Sequence, residues 1–264
     1  MTASEIPADD VAVLMEATAR FYESQADSFS RSRSAPWSGW EHVASLAAAD
    51  TTTPKRLTVP YRVLDVGCGN QRFERYLEAE LPDAQLEFCL VDRCDTLTDR
   101  VLAGELYGPY RHLDIVAMLA EGGTLADELG DGGFDLGVCF GLMHHIPDPA
   151  WRKDLLGQLV ACVRSGGLVA VSLWDFVHDA RRAKTARRQS DDACACLGIA
   201  PLEGNDYVLG WRGLPGVHRY CHDFTPAEAD ELIGSVQAHA NLVDRYRDDG
   251  PSGFSNTYLV FRRR

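Results

Sequence analysis

The sequence predicts an α/β fold with a doubly wound, mostly parallel sheet, and three observations carry that prediction. Val63-Leu64-Asp65-Val66 is an apolar, β-branched run that stops at Gly67-Cys68-Gly69-Asn70, the composition of a buried strand entering a turn. Phe73, Tyr76, Leu77 and Leu81 then recur at helical spacing, and a second apolar run, Leu86 to Val91, closes on Asp92. Downstream, strand-length apolar runs keep alternating with helical patterns, and Asp65 to Gly67, Asp92, Asp114 and Phe140 to His145 all fall at strand ends. Ligands of doubly wound sheets bind beyond the carboxyl ends of the strands, so these positions point to one crevice.

The elements follow in order. Val11, Leu14, Met15, Thr18, Phe21, Tyr22, Ala26 and Phe29 fit one or two amphipathic helices. Pro36 marks a turn, and Ser38 with Glu41 reads as a capping box ahead of a helix over His42 to Ala49. Asp50 to Pro60 is a Thr- and Pro-rich loop. After the strand–turn–helix–strand unit come a helix over Asp95 to Leu106, a short strand over Tyr110 to Ile115, and a short helix over Leu125 to Leu129. A strand over Phe134 to Phe140, a helix over Trp151 to Val163 and an apolar strand over Leu168 to Trp174 complete the alternation. Positions 176–216 change character: Arg181, Arg182, Lys184, Arg187 and Arg188 crowd one helical segment, then Gly and Pro accumulate. A helix over Asp230 to Ala240 and strands over Leu242 to Arg247 and Thr257 to Phe261 end the chain. One domain is expected over 1–264: an N-terminal helical cap (11–50), a binding core (61–175), an inserted substrate-facing segment (176–224) and a final helix and strand pair (225–264).

Composition narrows the function classes. Lys and Arg number 26 against 39 Asp and Glu, a net charge of −13, which argues against a broadly basic nucleic-acid surface. No apolar run approaches the roughly 20 residues of a membrane span, and the N-terminus has no signal-peptide pattern. Of eight cysteines, Cys68, Cys89, Cys139 and Cys162 sit inside core elements, which suits free thiols in a reducing compartment. A cytoplasmic protein is expected. Cys194 and Cys196 with His218, Cys221 and His222 lack the spacing of a zinc knuckle, and no metal site is expected.

The glycine turn and Asp92 specify a nucleoside ligand. Asp92 ends its strand 23 residues after Gly69, where a carboxylate can take both ribose hydroxyls. A dinucleotide fingerprint requires a third glycine at position 72, where this chain has Arg72. NAD and FAD are therefore not expected.

The runs VLDVGCGN, FDLGVCFGLMHHI and RSGGLVAVSLW, with Asp92 and Asp114 between the first two, together resemble the successive motifs of the class I S-adenosylmethionine-dependent methyltransferases. In that family the glycine turn passes the methionine part, the acid after the second strand binds ribose and the next strand-end Asp contacts adenine. The resemblance places these roles on Gly67 and Gly69, on Asp92 and on Asp114. It adds Asp65, Cys68, Arg93, Ile115 and Phe140 to the cofactor set and implies a Rossmann-like fold with S-adenosyl-L-methionine as cofactor.

A narrower resemblance covers the ends of the chain. Phe21-Tyr22, Phe29 to Arg33, Pro36-Trp37, Arg219 to Phe224 and Thr257 to Phe261 are similar to the tRNA wobble-uridine carboxymethyl methyltransferases. That likeness implies tRNA and a small zinc-binding activator subunit as partners. Trp174-Asp175-Phe176 departs from that family's Trp-x-x-Glu-Gln, and the acidic balance offers little phosphate-binding surface.

Methyl transfer needs alignment of acceptor and methyl more than it needs a catalytic triad. His144 and His145 are the candidates to orient an acceptor or take a proton, or they pack the loop. Arg33 is a candidate to lie over the cofactor and bind an acceptor carboxylate, and Tyr22 to close the methionine end. Trp174, His222, Arg181 and Arg182 complete the candidate acceptor contacts, the arginines alternatively forming a solvated helix face. Three readings stay open: a tRNA methyltransferase, a small-molecule methyltransferase, and a catalytically silent cofactor-binding partner.

Overall fold

The computed structural model describes residues 6–33, 35–51, 59–97, 106–130, 132–177, 180–250 and 252–264. Strand β1 (Tyr61–Val66) is buried along almost its whole length, as its continuous apolar run requires of a central parallel strand. It pairs in parallel with β2 (Leu86–Asp92) on one side and β4 (Phe134–Cys139) on the other. β3 (Tyr110–His112) extends the sheet beyond β2, and β5 (Val163–Trp174) extends it beyond β4. The C-terminal strands β8 (Ala240–Asp248) and β9 (Asn256–Arg263) join antiparallel, giving seven strands in the order β3-β2-β1-β4-β5-β9-β8. The fold is thus the mostly parallel, Rossmann-like sheet expected from the sequence.

Helices cover both faces. On one, α4 (Ile115–Ala120), α5 (Leu125–Leu129), α6 (Pro149–Cys162) and α8 (Pro226–Val236) bury Leu64, Val66, Val91 and Val169. On the other, α2 (Trp40–Thr51) and α3 (Arg72–Glu80) bury Val63, Leu90, Leu136 and Tyr258. Each such aliphatic side chain contributes about 1.5–3 kcal/mol of transfer free energy. The strand order reverses between β1 and β4, which places the crevice at their carboxyl ends.

Helix α1 (Ala8–Ser32) packs elsewhere. It is one unbroken helix of 25 residues, and with α7 (Ala180–Leu197) and the hairpin β6 (Asp206–Gly210)–β7 (His218–His222) it forms a separate small core. Leu14, Cys194, Val208 and Tyr220 meet there. The Tyr220 amide donates to Thr18 Oγ1 at 2.9 Å, and that hydroxyl donates to the Leu14 carbonyl at 2.8 Å, tying α1 to β7.

Several local expectations change. Ser38 donates its hydroxyl to Asp248 at 2.6 Å, and the Gly39 amide donates to Asp249 at 3.0 Å. The start of α2 is therefore tied to the end of β8, whose carboxylates stand within reach, and not to a capping box. The strand expected over Tyr110 to Ile115 stops at His112. Asp114 instead caps α4, its Oδ1 accepting from the Val116 and Ala117 amides at 3.0 Å each. Positions 176–216 hold α7 and β6, with β7 following. Most of the helix expected over Asp95 to Leu106 lies outside the described residues, as does 52–58 of the Asp50 to Pro60 loop.

Candidate functional site

The carboxyl ends of β1, β2 and β4 open into a cavity of about 1140 Å³, its mouth included, roofed by α1. The floor is the turn after β1. Gly67 and Gly69 hold φ of +86° and +52°, left-handed values that favour glycine. A Cβ on Gly69 would meet nothing within 4 Å, so the turn leaves open space for a ligand rather than for the protein's own packing.

Asp92 closes β2 beside that turn. Gly69 N–H donates to Asp92 Oδ2 at 2.9 Å and Cys94 N–H to Oδ1 at 2.8 Å. Each oxygen keeps further acceptor capacity toward the cavity it lines. Burial raises the Asp92 carboxyl above its ordinary range, opposed by the amide bonds and by Arg93. Arg93 itself reaches Asp114 Oδ2 at 3.1 Å and Glu23 at 2.8 Å. Asp114 therefore divides its carboxylate between a helix cap and an ion pair while still lining the cavity.

At the roof, Tyr22 and His145 meet. His145 Nδ1 lies 2.7 Å from the Tyr220 carbonyl, which can only accept, so Nδ1 carries the proton. Nε2 is then an acceptor, and the Tyr22 hydroxyl donates to it at 2.7 Å. Burial, then the Arg219 charge, pull the His145 imidazole down to about 3, which keeps it neutral. Burial also lowers His144, with His145 and Arg219 adding to the effect. Arg33 stacks on Phe29, its Cζ 4.2 Å from the ring centre, and burial lowers its guanidinium from the ordinary value.

The cavity thus brings together Tyr22, Arg33, Asp65, Gly67, Cys68, Gly69, Asp92, Arg93, Asp114, Ile115, Phe140 and His145. His144 stands behind His145, against Trp174 with ring centres 4.9 Å apart, and neither His144 nor Trp174 lines it. His222 lies outside the cavity too, its Nδ1 held by Asp206 and its Nε2 by Glu228, each at 2.7 Å. Arg181 and Arg182 border a different cleft with Phe176 and Leu209. Sequence reasoning did not single out Met15, Thr18 or Glu74 as site residues. The first two line the roof; Glu74 is fully buried on α3 and is not among the lining residues. His144, His145 and Cys221 bring ligand atoms within 4.8 Å of one another. The Arg219 and Arg33 charges felt by all three disfavour a cation there.

A methyltransferase-domain family matches residues 39–198. The chain belongs to that family. The chain is also 27% identical over 180 residues to the ubiquinone biosynthesis O-methyltransferases of Psychrobacter cryohalolentis and Psychrobacter arcticus. The match covers 65% of this chain, which spans about half, 56%, of the length of those curated relatives. Its fold is similar to that of the Burkholderia thailandensis 1,6-didemethyltoxoflavin-N1-methyltransferase (TM-score 0.57, 16% identity, 100% of this chain and 92% of that one). It is likewise similar to the N-methyltransferase NodS of Bradyrhizobium japonicum (TM-score 0.53, 13% identity, 94% and 98%).

The cavity fits S-adenosyl-L-methionine, the donor that the sequence motifs imply, chemically. Asp92 offers carboxylate acceptors of the kind ribose hydroxyls need, and Asp65 lines the same floor beneath the glycine turn. When bound, the donor supplies a methyl group already activated on a sulfonium. Among the described residues, no helix is long and apolar enough to cross a membrane.

Proposed function

We propose that this methyltransferase transfers the methyl group to a small-molecule acceptor held between the glycine turn and α1. The observation that carries this reading is the roof: Met15, Thr18, Ala19, Tyr22 and Phe29 close the cavity with a mainly apolar surface. Such a surface suits a compact organic acceptor, whose affinity comes from apolar burial with a few polar anchors. The names of the similar proteins, a ubiquinone biosynthesis O-methyltransferase and a toxoflavin N1-methyltransferase, support acceptors of that size.

His145 and Tyr22 would orient the acceptor. An imidazole held near 3 is a weak base and a constant hydrogen-bond acceptor, so its contribution is alignment. Arg33 would supply a cationic contact at the same end.

The tRNA wobble-uridine reading draws support only from the ends of the sequence. Within the basic run, Arg187 turns inward and donates to the carbonyls of Leu202, Gly204 and Asp206, which removes it from a phosphate surface. Incubation with methyl-labelled S-adenosylmethionine and either total tRNA or a small-molecule extract separates the two. Label in the small-molecule fraction is expected; label confined to tRNA would reverse the assignment.

A further inference from the structure

Beneath the glycine turn lies a group of acids with no cation partner among the described residues. Asp65, at the end of β1, is 3% exposed and lines the cavity; Glu74, in the first turn of α3, is fully buried. Their carboxyl groups contact each other directly. Apart from that contact, Asp65 Oδ1 and both Glu74 oxygens have no hydrogen-bond partner on another residue among the described residues. Two carboxylates repel, whereas a carboxyl and a carboxylate hydrogen-bond.

The surroundings reinforce this. Asp92 on β2 acts on Asp65, Glu78 on α3 acts on Glu74, and the Cys68 thiol and the Cys139 thiol on β4 stand close by. Among the described residues, none of the groups acting on either carboxyl is a lysine or an arginine. Burial raises both, Glu74 to about 7. A buried pair of this kind, without a cation, weakens the fold relative to an apolar pair, and its open side faces the donor cavity.

We propose that Asp65 and Glu74 share a proton in the free enzyme and release it to solvent when the cationic methionyl end of S-adenosylmethionine binds. Only an O–H bond breaks. The pair passes from one proton and one negative charge to no proton and two negative charges, and the buffer takes the proton. Glu74 is then a positioning residue, setting the charge that Asp65 presents to the donor. This rests on the donor assignment above.

Calorimetric titration of the whole protein with S-adenosylmethionine at pH 7, in buffers of different ionisation enthalpy, reads the proton number. The expected result is release of about half to one proton per donor bound, with donor affinity rising severalfold from pH 6 to pH 8. Glu74→Gln places an amide donor against Asp65, which then ionises unaided, so release and pH dependence should both vanish. Wild-type release below about 0.2 proton overturns the proposal, and so does a Glu74→Gln protein that releases as much as wild type, since Asp92 would then be the source. Infrared difference spectra of the wild type need no variant: donor addition should remove carboxylic-acid absorption, and an unchanged band overturns the proposal. Absence of any binding by the wild type would instead sink the donor assignment itself.

Discussion

The Tyr22 hydroxyl and His145 Nε2 lie 2.7 Å apart although 123 positions separate them in the chain. The bond joins the roof helix to the loop after β4, across the cavity. Tyr22→Phe removes the donor and leaves a buried imidazole nitrogen unpaired, which costs about 1–3 kcal/mol. Chemical denaturation should show that loss, and steady-state kinetics a fall in kcat/KM for the acceptor. Unchanged values of both would show that the bond anchors nothing.

Neutral buried histidines make stability depend on pH. The His144 and His145 imidazoles are depressed in the fold, so below the ordinary histidine value of about 6.5 the unfolded chain binds protons that the folded chain does not. Stability is therefore present above that value and is lost as pH falls toward the depressed ones. Between pH 6 and pH 5 the slope should reach about 2–3 kcal/mol per pH unit for the pair. Urea titrations of wild type and His145→Gln should show the slope roughly halved in the variant.

Asp92→Asn should keep the fold, since the amide oxygen can still accept one backbone N–H. It removes the carboxylate offered to a ribose, and a charged hydrogen bond is worth about 1.5–3 kcal/mol. Calorimetry should find S-adenosylmethionine bound about 10- to 100-fold more weakly. Equal affinity would remove Asp92 from the donor site.

His222 offers a contrasting case. Burial alone would raise Glu228, but the hydrogen bond and charge of His222 overcome it and pull the carboxyl down to about 2. A depressed carboxyl stabilises above its unfolded value near 4.3 and loses that contribution as pH falls through the folded one. His222→Gln should cost about 2 kcal/mol at pH 7, less at pH 3, and leave donor affinity unchanged. A large change in donor affinity would place His222 in the site after all.

The glycine turn, Asp92 and Asp114 were legible because their meaning is local: each sits where a strand ends, at a spacing the βαβ unit dictates. The Tyr22–His145 bond was not, since nothing in either segment names the other. Asp114 was placed at the cavity, but its cap on α4 was missed because Ile115 reads equally well as the end of a strand or the start of a helix. His222 reads as a site residue from its motif, and only the pairing of β6 with β7 and the approach of α8 reveal Asp206 and Glu228 as its partners. Ser38 and Glu41 have the spacing of a capping box, and a competing carboxylate on β8 decided otherwise.

The division between floor and roof has a consequence for how such an enzyme diversifies. The donor-facing turn and strand ends come from the middle of the chain, whereas α1 and the hairpin it grips come from opposite flanks. If the roof holds the acceptor as proposed, substitutions in the flanks reshape what is methylated while the turn and strand ends that face the donor stay intact. On that reading, acceptor choice and donor chemistry are separately inheritable parts of one polypeptide.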